Sequence, residues 1–170
     1  MKRFAELLDR LVLTPSRNGK LRLLTGYFAT TPDPDRGLAL AAITGDLDIA
    51  AVKPAMLRAL VTERMDPVLF GYSYDYVGDL AETLSLVWPS SPGAADENLP
   101  LSAVVETLQR TSRSDAPAIL AALLDRLDVP GRFAVIKLVT GGLRIGVSAR
   151  LVKQALANLG KVEVGEIEEL

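Results

Sequence analysis

Between Thr140 and Ser148 the chain reads Thr-Gly-Gly-Leu-Arg-Ile-Gly-Val-Ser, three glycines and one arginine between two apolar segments. Glycine lets a backbone turn tightly and approach a ligand closely. Ser148 is placed to cap the helix that follows, Ala149-Arg-Leu-Val-Lys-Gln-Ala-Leu156, and the first N–H groups of a capped helix form an anion site. Arg144 and the N–H groups of Gly146 to Ser148 are spaced to grip one phosphate, with Arg150 and Lys153 reaching its neighbours. The same residues admit a structural reading. Gly141-Gly142 is then a helix C-cap, Gly146 a turn glycine, Arg144 a donor to helix C-terminal carbonyls, and the other cations a solvated helix face.

The chemistry is phosphate recognition, and the charge distribution supports a polyanion. The formal net charge of −2 is not that of an ordinary DNA-binding domain. Its distribution is uneven, however. Residues 1–32 hold six basic and two acidic groups, 33–128 seven and fifteen, 129–162 six and none, and 163–170 none and four. Two basic blocks thus flank an acidic middle, and a fold that joins them makes a positive face that the net charge conceals. Arginines outnumber lysines thirteen to six, which favours forked contacts to phosphate oxygens.

Composition narrows the chemistry further. With no histidine and no cysteine in 170 residues, the chain has no imidazole base, no thiolate and no His or Cys metal site. Asp33/Asp35 and Asp46/Asp48 are the paired acids, and both pairs sit in turn sequences where Asp is ordinary. No run of about eighteen apolar residues marks a membrane span, and Met1-Lys-Arg-Phe-Ala-Glu lacks the apolar core of a signal peptide. A cytoplasmic, nucleoid-associated protein with no membrane partner is expected.

The elements that position the closing turn read as helices, and Leu and Ala dominate the apolar residues. Residues 3–13 form an amphipathic stripe of Phe4, Leu7, Leu8, Leu11 and Val12. Ser16 caps a helix to about Ala29, with Leu21, Leu24 and Phe28 inward. A short helix over 36–43 ends at Gly45; Lys53-Pro54 and Asp66-Pro67 open the next two; Gly78-Asp79 leads into one over 80–87. Residues 89–100 form a loop, followed by helices near 102–110 and 116–127. The β-branched stretch Phe133–Val139 passes for a strand, but no second strand signal lies nearby, so helix is expected. The last helix, 148–159, turns Leu151, Val152, Ala155, Leu156 and Leu159 inward and Arg150, Lys153, Gln154 and Asn158 outward. The expectation is an all-α, single compact domain of about eight to ten short helices over 1–160, with a linker beginning at 161–170.

Leu143-Arg-Ile-Gly-Val147, Ser148 and Val152-Lys-Gln-Ala-Leu156 resemble the signature that closes the N-terminal DNA-binding domain of ATP-dependent DNA ligases. Phe4-Ala-Glu-Leu-Leu8, Pro15-Ser-Arg-Asn-Gly-Lys-Leu21, Val77-Gly-Asp-Leu-Ala-Glu82 and Leu101-Ser-Ala-Val-Val-Glu106 are similar to that family's other elements in order and spacing. Tyr74-Asp-Tyr-Val-Gly-Asp-Leu-Ala-Glu82 and Thr140-Gly-Gly-Leu-Arg144 resemble its bacterial branch of the cisplatin-damage-response type. The resemblance implies a helical domain that grips the minor groove of nicked double-stranded DNA through backbone contacts, in repair, replication or recombination. It implies DNA contacts at Ser16, Arg17, Arg144 and Gly146, although Ser16 also reads simply as an N-cap; the basic blocks and the glycine-rich turn themselves add Lys20, Gly142, Arg150 and Lys153 as expected DNA-binding positions. In that family a lysine in Lys-x-Asp-Gly becomes adenylated, and none of the six lysines here is followed by x-Asp-Gly. ATP and Mg²⁺ are therefore expected only with separate nucleotidyltransferase and OB-fold domains, and this chain needs no cofactor and has no catalytic residue. A helical protein-interaction scaffold and a helix-turn-helix regulator are the alternatives.

Overall fold

The computed structural model describes residues 1–89, 98–141, 143 and 145–168. Gly142, Arg144 and most of the expected 89–100 loop lie outside the described residues. Among the described residues the fold is all-α, with no strand and eleven helices. In chain order these are α1 (Lys2–Leu13), α2 (Arg17–Thr30), α3 (Asp35–Thr44), α4 (Pro54–Thr62), α5 (Pro67–Val77), α6 (Leu80–Val87), α7 (Leu101–Arg110), α8 (Ala116–Asp125), α9 (Val129–Thr140), α10 (Ala149–Gly160) and α11 (Val164–Glu168). They group into two compact units, one of Met1–Ala5 and Asp48–Gly142, the other of Glu6–Leu47 and Leu143–Leu170.

The first unit is built from α4 to α9, whose starts are written into the sequence. Asp66 Oδ1 accepts from the N–H groups of Val68 and Leu69 at 2.8 and 3.1 Å and starts α5. Asp79 Oδ1 accepts from Glu82 N–H at 2.9 Å and starts α6, and Asp128 Oδ1 accepts from Gly131 N–H at 2.9 Å and starts α9. These are ordinary N-caps, each satisfying a donor that the helix itself leaves open. The β-branched stretch at 133–139 is helical. Ala134, Val135, Ile136, Leu138 and Val139 are all buried, so α9 is apolar nearly all round because it is central, packed by α6 and α8.

Burial in this unit includes polar groups with defined partners. Arg132 is 2% exposed; its Nε donates to Leu124 O at 2.9 Å and its Nη1 to Trp88 O at 3.2 Å. Trp88 Nε1 donates to Asp125 Oδ1 at 2.9 Å, and the Arg64 guanidinium lies 4.6 Å from the Trp88 ring centre. Burial pulls the Arg132 guanidinium below its usual range, and Asp125 and Asp128 draw it partly back. Lys137 Nζ donates to Asp79 Oδ2 at 2.7 Å, which ties α9 to the cap of α6. Burial by itself raises the Asp79 carboxyl, but hydrogen bonds from Lys137, Glu82 and Ala81 and the Lys137 charge outweigh it and hold the group below its ordinary value. Gly78-Asp79 is therefore a helix joint. On α5, Val68, Leu69, Tyr72 and Tyr76 are exposed, Tyr76 by 93%.

The second unit contains most of α1, with α2, α3, α10 and α11. Helix α10 packs on α2, α3 and α11. Leu24, Tyr27 and Phe28 of α2 and Leu151, Val152, Ala155 and Ala157 of α10 are buried, while Leu156 and Leu159 are only partly so. On α1 the expected stripe holds for Phe4, Leu7, Leu8 and Leu11 but not for Val12, which is 55% exposed. A row of i, i+4 positions drifts by about 40° per step, and by Val12 it has turned outward. The segment expected to open a linker at 161 contains α11. Glu166 Oε1 accepts from Glu163 N–H at 3.0 Å, the reciprocal arm of a capping box. A stretch that reads only as acidic thus holds a helix start. Asp33 pairs with Arg36 at 3.4 Å and Asp46 Oδ2 accepts from Thr44 Oγ1 at 2.6 Å, so these acids act in local turns.

Candidate nucleic-acid interface

In the second unit a groove of about 630 Å³ opens between the start of α2 and the closing turn. Pro15, Arg17 and Lys20 form one wall, and Leu143, Ile145, Gly146, Val147, Ser148 and Leu151 the other. Each wall ends in a helix start. Ser16 Oγ accepts from Gly19 N–H at 3.0 Å and caps α2; Ser148 Oγ accepts from Leu151 N–H at 3.2 Å and caps α10. Gly19 has a steric role, because a Cβ there would stand 2.6 Å from Thr14 Cγ2. Thr14 would have to shift to admit any side chain at 19. Two helix N-termini, each with partial positive charge and N–H groups lacking intrahelical acceptors, meet at one groove.

Lys20 joins the walls. Its Nζ donates to Gly146 O at 2.9 Å and to Ile145 O at 3.3 Å, across 126 and 125 residues. Gly146 has φ +65°, a left-handed conformation open to glycine, and a Cβ there would collide with Lys20 Nζ. The buried Ile145 side chain anchors the turn from below.

The expected site residues fall into three groups. Arg17, Lys20 and Gly146 line the groove together. Ser16 and Arg150 are exposed at the starts of α2 and α10, and Lys153 is partly buried one turn into α10. Gly142 and Arg144 lie outside the described residues. Of the six cations that make 129–162 so basic, two belong to the first unit and are engaged there: Arg132 is buried on carbonyls and Lys137 holds Asp79. That block overstates the positive face. The apolar part of the wall, Pro15, Leu143, Ile145, Val147 and Leu151, was not expected from the sequence. The run Leu-x-Ile-x-Val around Arg144 and Gly146 is its only trace there. Among the described residues no group of three metal-ligating side chains converges, and no helix is long and apolar enough to cross a membrane.

The architecture is that of an all-helical module whose glycine-rich turn closes against a capped helix start. A family model described as DNA ligase N terminus matches residues 1–157, and the chain belongs to this family, the N-terminal domain of ATP-dependent DNA ligases. Comparison with curated proteins returns no match.

Proposed function

We propose that this chain is the DNA-gripping module of an ATP-dependent DNA ligase, holding nicked duplex DNA through minor-groove and phosphate contacts that are largely independent of sequence. One observation supports this most: two helix N-termini, Arg17 and the closing turn surround a single open groove. Peptide N–H groups and a guanidinium recognise phosphate oxygens without reading bases. Arg150, exposed at the start of α10, is suited to a neighbouring phosphate, and the Tyr74–Glu82 sequence supports the bacterial damage-response branch. The chemistry of ligation belongs to separate nucleotidyltransferase and OB-fold domains, with ATP and Mg²⁺ used there. Incubation of this chain with ATP and Mg²⁺ should leave its intact mass unchanged; a stable gain of one AMP would overturn the assignment of a non-catalytic module.

Anisotropy of a labelled nicked duplex tests the binding. Affinity should be similar across sequences and fall steeply with salt, because each neutralised phosphate releases counterions. A flat salt response would favour the alternative, a helical protein-interaction scaffold. That reading has its own support in the exposed Val68, Leu69, Tyr72 and Tyr76 of α5.

A further inference from the structure

We propose that Lys20 is a positioning residue for the closing turn, not a phosphate contact, and that its ammonium sets which edge of the turn faces the ligand. The inference rests on the phosphate-binding reading above and deepens it. An ammonium has three donors. Two of those on Lys20 are directed at successive carbonyls, those of Ile145 and Gly146. In a planar trans peptide the C=O and N–H point in opposite directions. With the Ile145 carbonyl held towards Lys20, the Gly146 N–H faces away from it; the Gly146 carbonyl does the same for the Val147 N–H. One cation thereby aligns two consecutive peptide dipoles with their positive ends turned outward, the arrangement that backbone anion sites use.

The surroundings fix this geometry. Lys20 lies in the first turn of α2, directly behind the Ser16 cap. The turn is held by the buried Ile145 on one side and by the Ser148 cap of α10 on the other, and α10 packs on α2. Gly146 and Lys20 are matched, since any side chain at 146 would occupy the place of the ammonium.

The test uses Lys20→Met and Lys20→Arg in the 170-residue chain, each followed by amide NMR without DNA and by binding to nicked duplex over a salt series. Lys20→Met should move the amide resonances of 145–148 in the free protein and weaken binding about tenfold. The slope of log affinity against log salt should stay within about half a unit of wild type, because the number of neutralised phosphates is unchanged. Lys20→Arg, whose guanidinium can still donate to both carbonyls, should recover most of the affinity. Unmoved resonances overturn the proposal whatever the affinity does. A slope reduced by about one unit, the mark of a lost phosphate contact, also overturns it, as do moved resonances with unchanged affinity. In case Lys20→Met does not fold, the wild-type Lys20 Nζ resonance decides the same question. Bound to two carbonyls, its ammonium protons should exchange slowly before DNA is added; fast exchange overturns the proposal. Failure of the wild-type chain to bind nicked duplex would sink the phosphate reading instead, while the free-protein resonances still report whether Lys20 holds the turn.

Discussion

In the first unit Arg132 is buried on two backbone carbonyls and Lys137 is clamped on Asp79. In the second, Arg17 stands exposed at the mouth of a groove, and Lys20 crosses that groove to reach the closing turn. Cations that look equivalent in the sequence thus do different work. Those of the first unit end helices and join them; those of the second face, or shape, a surface that water reaches. Basic residues become informative only after those bound to the protein's own carbonyls and carboxylates have been set aside. What then remains at the groove is Arg17, beside two helix N-termini.

Substitutions test this contrast directly. The largest effect on stability is expected from Arg132→Met, which leaves two helix-end carbonyls buried without their charged donor. The loss should be about 3 kcal/mol, seen as a fall in Tm of about 6–12 °C. The DNA affinity of the folded protein should stay near wild type; a large loss of affinity with little change in Tm would invert the assignment of the two units. Arg17→Ala and Arg144→Ala should do the reverse. Each should weaken binding to nicked duplex by about 1–3 kcal/mol, uniformly across sequences, and lower the salt slope by about one unit. Melting temperature and circular dichroism must remain close to wild type, otherwise the arginine is a structural cap.

The smallest effect, and the most selective, is Asp79→Asn. Asn caps a helix as well as Asp does, so the change isolates the charge facing Lys137. At neutral pH it should cost no more than about 1 kcal/mol, since Asp79 is partly open to solvent and screened. The sign with pH is fixed. A carboxyl held below its ordinary value of 3.8 contributes stability above that value and loses it as pH falls through the folded pKa. Wild type should therefore lose stability to acid below about pH 4 more steeply than Asp79→Asn. Identical acid titrations of the two would show that the Lys137 pair has no energetic weight.

Much of the fold is legible in the sequence because helix ends are local events. Asp66-Pro67, Gly78-Asp79, Ser16 and Ser148 mark their helix boundaries directly, through caps formed by residues two to three positions away. Where the deciding partner is distant, the sequence is silent. Phe133–Val139 passes for a strand by its own residues and reads as helix only because no second strand signal lies nearby, and α11 is hidden inside an acidic run. The site divides in the same way. The glycine-rich turn and its serine cap stand out as a motif, but nothing near Lys20 announces acceptors 125 and 126 residues away. Nor does the basic run at 129–162 reveal that Arg132 and Lys137 are engaged elsewhere.

Arg132 has one more consequence, for the motions of the first unit. Leu124 lies in the last turn of α8 and Trp88 is the residue that ends α6, so a single rigid fork holds the ends of two helices. Fraying of either end breaks one of the two bonds of this fork and loosens its hold on the other end. The two termini, far apart in the chain, should therefore open together as one cooperative segment, with matching opening free energies for the amides in the last turns of α6 and α8.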